Sequence, residues 1–105
     1  MRSFFAGKFI EKEKLKEAGI NYPIKLEYYK KINKDANLED GICTYGILVV
    51  KTAYHRDNVT TEYKEIQNVS KDEKQIERIL SILKENEVTP ISVDDILSDL
   101  SKMHI

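Results

Sequence analysis

The run from Ile42 to Tyr54, ICTYGILVVKTAY, limits the fold more than any other stretch of the chain. Side chains on a strand alternate between two faces, so Ile47 and Val49 point one way and Leu48 and Val50 the other. A strand that is apolar on both sides belongs inside a sheet with cover over each face. Gly46 within the run predicts a bulge or the close approach of another backbone. The chain has 105 residues, the length of one domain. It is 41% hydrophobic and 33% charged, so its core must be small and closely patterned.

Two further strands flank this run. In residues 24–33, Ile24, Leu26, Tyr28 and Ile32 alternate with Lys25, Glu27, Tyr29 and Lys31, and Lys30 breaks the apolar face near the end. Residues 33–41, NKDANLEDG, carry turn chemistry, as do His55-Arg56-Asp57-Asn58. Residues 59–69, VTTEYKEIQNV, form a third strand in which Val59 and Tyr63 share a face. Ile66 falls out of phase with them, which predicts a bulge near Lys64–Glu65. The short connections make the three strands an antiparallel meander.

The C-terminal third is helical. Ser70 and Glu73 have the spacing of a capping box, and Ile76, Ile79, Leu80 and Leu83 then repeat at three-four spacing, widened by Ile82. Asn86 and Pro90 bracket the stop. A second helix starts at Ser92, with Asp94 and Asp95 in its first turn and Val93, Ile96, Leu97 and Leu100 on its apolar face. Residues 8–18, KFIEKEKLKEA, read as a helix with a thin apolar stripe and Gly19 as its C-terminal cap. Partial disorder there, or a short strand over residues 3–10, stays open. The expected fold is α+β. It is a three-stranded antiparallel β-meander with two C-terminal helices packed on one face, over residues 21–105, preceded by an N-terminal segment over residues 1–20.

Two helices cover only one side of the middle strand. The other side then needs a cover, because a contiguous apolar patch is rarely left bare on a soluble monomer. One cover is the N-terminal segment, with Phe4, Phe5, Phe9, Ile10 and Leu15 laid across the sheet of its own chain or of a neighbour. The other is a second copy joined about a two-fold axis. The interaction surface expected from this argument is Phe4, Phe5, Phe9, Tyr29, Leu48 and Val50. Charge segregates in the same sense. Residues 1–34 hold nine Lys and Arg against four Asp and Glu, a net of +5, and residues 35–105 hold eight against fourteen, a net of −6. Halves of opposite sign attract within one fold or between two copies.

The overall charge of −1 excludes a chain built for bulk phosphate binding. Tyr28, Tyr29 and Tyr45 near Lys25, Lys30, Lys31 and Lys34 still offer aromatics interleaved with lysines, a pattern that stacks bases and holds phosphates on a sheet. The glycine-aromatic signature of the RNA-recognition fold is missing, and arginine is limited to Arg2, Arg56 and Arg78. No apolar run approaches the roughly 20 residues of a membrane helix. The group Phe4-Phe5-Ala6 is broken by Lys8 and Glu11 and is too short for a secretory signal. Cys43, the single cysteine, has no partner for an internal disulfide, so a reducing cytoplasm is the expected setting.

The parts needed for catalysis are scattered. His55, His104 and Cys43 are the only soft ligands and lack the paired spacing of a zinc site. Cys43, beside Ile42 on a strand, reads as a packed thiol. Asp95 and Asp99 are four apart and share a helix face, as a hard cation would require, but no glycine-containing loop or further oxygen ligand accompanies them. Gly7, Gly19, Gly41 and Gly46 are dispersed and make no phosphate loop. No catalytic residue, cofactor or metal site is assigned. The expected role is a non-catalytic protein-interaction or regulatory module that binds a protein partner or itself as a homodimer. The alternative is nucleic-acid contact through the basic N-terminal third.

Three segments carry a resemblance. Tyr45-Gly46-Ile47, the passage from Ile66 to Val69-Ser70 into a helix, and Val88-Thr89-Pro90-Ile91 followed by Asp95-Ile96 and Asp99 resemble a family of short clostridial-type proteins catalogued only as a domain of unknown function. The likeness spans residues 24–100. It implies a small cytoplasmic bacterial protein with no assigned activity, and it carries over no catalytic residue.

Overall fold

The computed structural model describes residues 2–34 and 43–102. Strand β1 (Arg2–Ile10) leads into a single helical turn, α1 (Lys12–Leu15), continued by a 3-10 turn (Lys16–Ala18). Strands β2 (Ile24–Lys34), β3 (Cys43–Tyr54) and β4 (Val59–Ser70) follow, then helix α2 (Glu73–Glu85), a 3-10 turn (Pro90–Ser92) and helix α3 (Val93–Lys102). The strands form one antiparallel sheet in the order β1-β2-β3-β4. The fold is α+β with C-terminal helices, as expected, but the sheet has four strands rather than three.

The additional strand is the N-terminal segment, which does not lie across the sheet but extends it at one edge. Ile10 pairs with Ile24 and Phe4 with Tyr29. The helix expected over residues 8–18 shrinks to α1 and its 3-10 extension. Its charged pairs at spacing four, Lys8 with Lys12, Lys12 with Lys16 and Glu13 with Glu17, all repel, so an isolated helix gains little there. Pairing with β2 instead satisfies a full row of backbone groups. Gly19 does cap the turn, at φ 76°, and its N–H donates to the Lys16 carbonyl.

The core lies on the Ile47 and Val49 side of β3. Those side chains pack with Leu26 and Tyr28 of β2 and Ile10 of β1, beneath Ile76, Ile79, Leu80 and Leu83 of α2 and Val93 of α3. Leu80, Leu83, Ile76 and Val49 are wholly buried. Register explains why the helices choose this face. Tyr28 stands opposite Val49 and Ile24 opposite Ala53, so β2 and β3 present their apolar rows to the same side.

Pairing between β3 and β4 is regular from Val59 through Ile66, so the expected bulge near Lys64–Glu65 is not there. Ile66 simply faces the helices, opposite Ile47, while Val59 and Tyr63 face away. The irregularity sits at Gly46. Tyr45 pairs with Ser70 and Ile47 with Ile66, so Gly46 stands against Gln67, Asn68 and Val69. Asn68 takes a left-handed φ of 56°, and its Oδ1 accepts a hydrogen bond from the Thr44 hydroxyl. A Cβ on Gly46 would collide with the Ile66 carbonyl oxygen. The close backbone approach expected from this glycine is therefore present.

The N-terminus of α2 is also arranged differently. Asp72 is the cap, its Oδ1 accepting from the Lys74 N–H at 3.0 Å. Ser70 is still the last residue of β4, held opposite Tyr45, so it cannot adopt the cap position. Its hydroxyl accepts from the Asp72 N–H at 3.0 Å and donates to Gln75 Oε1 at 2.6 Å. At the other end, Glu87 at φ 51° reverses the chain and the Val88 N–H donates to the Leu83 carbonyl at 2.9 Å.

Replacing Leu80 by alanine should cost about 2–5 kcal/mol in urea unfolding. A loss below about half a kcal/mol would place the residue at the surface. Gly46→Ala should cost about 1–3 kcal/mol, because its methyl meets backbone that is already paired. An unchanged denaturation midpoint would contradict the contact with Ile66.

Candidate functional site

The face of the sheet turned away from the helices is open to solvent. Strand register sets its side chains in rows. Phe4, Tyr29, Leu48 and Glu65 form one, and Gly7, Glu27, Val50 and Tyr63 the next. Phe9, Lys25, Thr52 and Thr61 follow, then Tyr54 and Val59. Among the described residues, the large apolar side chains that are most exposed are Phe4 at 58%, Phe9 at 56%, Val59 at 59%, Tyr63 at 70% and Ile91 at 86%. All but Ile91, which lies in the Pro90–Ser92 turn, stand on this one face.

The face is organised rather than merely uncovered. The Phe4 ring meets Tyr29 edge-on with centroids 5.6 Å apart, and the Arg2 guanidinium lies 4.7 Å above the Tyr29 ring. Phe9 lies 6.2 Å from Tyr54. The Tyr29 hydroxyl donates to Glu27 Oε2 at 2.8 Å, and this bond to a carboxylate, with some burial, raises its pKa. Lys25 pairs with the same carboxylate at 3.7 Å. Lys31, opposite Gly46 of β3, pairs with Glu65 of β4 at 3.2 Å.

Of the residues expected at the surface, Phe4, Phe9, Tyr29, Leu48 and Val50 share this face. Leu48 is itself buried, at 6% exposure, between its row neighbours Tyr29 and Glu65. Phe5 does not join them. The pairing slips between Phe4 and Ala6, and Phe5 turns to pack against the helix-side core. Val59, Tyr63, Tyr54 and Arg2 belong to the face although the sequence argument did not select them. The alternation Val59-Thr61-Tyr63 carried the signal for two of these.

The tyrosines and lysines proposed for nucleic acid separate onto opposite sides. Tyr29, Lys25 and Lys31 are on the open face, whereas Tyr28, Tyr45 and Lys30 are on the helix side. Tyr28 is wholly buried, and its hydroxyl donates to the Val88 carbonyl at 2.9 Å. Burial, helped by Glu87, pushes the phenol far above its ordinary range. Lys30 Nζ lies 2.7 Å from Glu73 and 3.6 Å from Glu77 on α2, and the hydrogen bond to Glu73 raises its pKa against the opposing effect of desolvation. The Lys34 side chain lies outside the described residues.

The groups with reactive chemistry are engaged separately. The His55 ring lies tilted against Tyr22, centroids 4.2 Å apart, and hydrogen-bonds Thr60 Oγ1 at 3.0 Å. Cys43 is half-buried at the start of β3. Asp94 pairs with Lys64 at 3.1 Å. His104 lies outside the described residues. Among the described residues, no group of three His, Cys, Asp or Glu side chains is placed to hold a metal ion. A cavity of about 140 Å³ between β4, α2 and α3 is lined by Val69, Gln75, Ile79, Leu97, Leu100 and Ser101, with no acid or base among them. No described helix is long and apolar enough to cross a membrane.

Comparison with known families gives one assignment. Residues 7–103 match a family of unknown function, DUF6514, and the chain belongs to that family. No curated protein and no solved structure matches it.

Burial of Tyr28 has a consequence for pH. The folded state holds the neutral phenol, while in the unfolded chain it ionises near its ordinary 10.0. Stability from this group is therefore complete below that pH and declines as pH rises above it. Tyr28→Phe should cost about 1–3 kcal/mol at neutral pH, because the Val88 carbonyl is left unpaired, and should flatten the alkaline decline. Urea melts of both proteins between neutral and alkaline pH check this; parallel curves would contradict it.

Proposed function

We propose that the chain is a non-catalytic protein-interaction module that works through the helix-free face of its sheet. The observation that carries this reading is the gathering of Phe4, Phe9, Val59 and Tyr63, all more than half exposed, on that single face. Interfaces are enriched in aromatic side chains and combine an apolar centre with polar groups around it. Here Leu48 and Val50 form the middle, with Lys25, Lys31, Glu27 and Glu65 around them. The non-catalytic part is supported by the separate engagement of His55 and Asp94, each held by a different neighbour. A cytoplasmic setting belongs to the same reading, since a lone cysteine suits a reducing compartment.

Nucleic acid would use the same aromatics, with Arg2, Lys25 and Lys31 as its phosphate contacts. Against it stand the carboxylates. Lys25 is paired with Glu27 and Lys31 with Glu65, so the net positive charge available to phosphates is small. A photo-cross-linking residue at position 63, compared with one at the exposed position 78 on α2, separates the two readings in cells that express the full chain. Protein adducts at 63, whether to another copy or to a different protein, and none at 78 are the expected result. Adducts to RNA or DNA at 63 would overturn the proposal, as would no adducts there.

A further inference from the structure

We infer that the helix-free face closes on a second copy of the chain, the two sheets stacked face to face about a two-fold axis parallel to the strands. This rests on the interaction reading above and names its partner. Among the described residues, no element of the same chain lies over the face: β1 is an edge strand and both C-terminal helices are on the other side.

The first argument is area. Strands lie about 4.8 Å apart and advance about 3.3 Å per residue. Four strands, the shortest of nine residues, give a face of about 19 by 30 Å. Two such faces in contact bury roughly 1,100 Å² together, above the roughly 1,000 Å² expected of a specific interface.

The second argument is charge. On this face Arg2, Lys25 and Lys31 stand on β1 and β2 with Glu27, while β3 and β4 contribute only Glu65. Lys25 is paired with Glu27 and Lys31 with Glu65 inside each copy, so the charge that a partner has to accommodate is Arg2 on β1, and it is met by placing it near the Glu65 end of β4 on the other copy. A two-fold axis parallel to the strands sets β1 and β2 of one copy over β4 and β3 of its partner. A perpendicular axis in the interface plane would set cations over cations. The parallel axis also lays Tyr29 of one copy over Leu48 of the other, aromatic on aliphatic at the centre. Glu27 tolerates enclosure there because Tyr29 donates to it and Lys25 pairs with it.

Light scattering after size exclusion tests the inference across dilutions up to about 100 μM, within the affinity range such interfaces span. Twice the chain mass is expected at the upper end. Tyr63→Glu and Phe9→Glu should each raise the dissociation constant at least about tenfold, as loss of an interface aromatic does. Both side chains are exposed in the single chain, so circular dichroism at low concentration should be unchanged. Arg78→Glu, on the exposed side of α2, should leave the mass doubled. A single-chain mass for the unaltered protein at the highest concentration would overturn the inference, as would a dimer that both face variants leave intact. A monomer that still gives protein adducts at position 63 would overturn self-association and keep the interaction reading; a monomer without adducts would remove both.

Discussion

Everything else in the molecule is arranged around a strand with no polar side. At the centre of β3, Ile47 and Val49 face the helices while Leu48 and Val50 face the other way. One row is satisfied by α2 and α3. The other is partly shielded by neighbours in its own layer, which is how Leu48 reaches 6% exposure without a second layer above it. Tyr29 on one side and the Lys31–Glu65 pair on the other supply that shielding. Burial by in-plane neighbours covers the centre of a sheet but not its edges. Phe4, Phe9, Val59 and Tyr63, on the two edge strands, remain exposed.

Gly46 links the two sides of this arrangement. Its missing side chain lets the backbone of β4 bend in over β3, which places Asn68 in its left-handed turn and directs the chain toward α2. On the open face, Lys31 beside Gly46 pairs with Glu65 from β2 to β4. At the rim of the helix side, Lys30 is drawn to Glu73 and Glu77, tying the end of β2 to the first turns of α2. Exposed ion pairs of this kind are worth little individually, and the docking energy comes from Ile76, Leu80 and Leu83.

The parts of this fold that could be read from the sequence are those where one periodicity dominates. Ile24, Leu26 and Tyr28 alternate cleanly, and Ile76, Ile79, Leu80 and Leu83 repeat at helical spacing, so β2 and α2 follow from pattern alone. Residues 2–18 mix both periods, and what decides them is the free edge of β2, a tertiary fact that no local pattern contains. The same reason hides Phe5, whose direction depends on a slip in pairing at Phe4–Ala6. Ser70 had the composition of a cap, but the strand held it and passed the role to Asp72. For the candidate site, alternation on β3 identified Leu48 and Val50, while the prominence of Tyr63 depends on β4 being an edge strand.

The proposed arrangement is a sheet with one face sealed by helices and the other closed by a second copy of the chain. Solvent paramagnetic relaxation of valine and isoleucine methyls reads both faces at once. In dilute solution the account predicts strong relaxation at Val59, partial relaxation at Val50 and almost none at Ile47 and Val49. On concentration, relaxation at Val59 and Val50 should fall while Ile47 and Val49 stay dark. Strong relaxation at Val49, or values at Val59 and Val50 that ignore concentration, would contradict it.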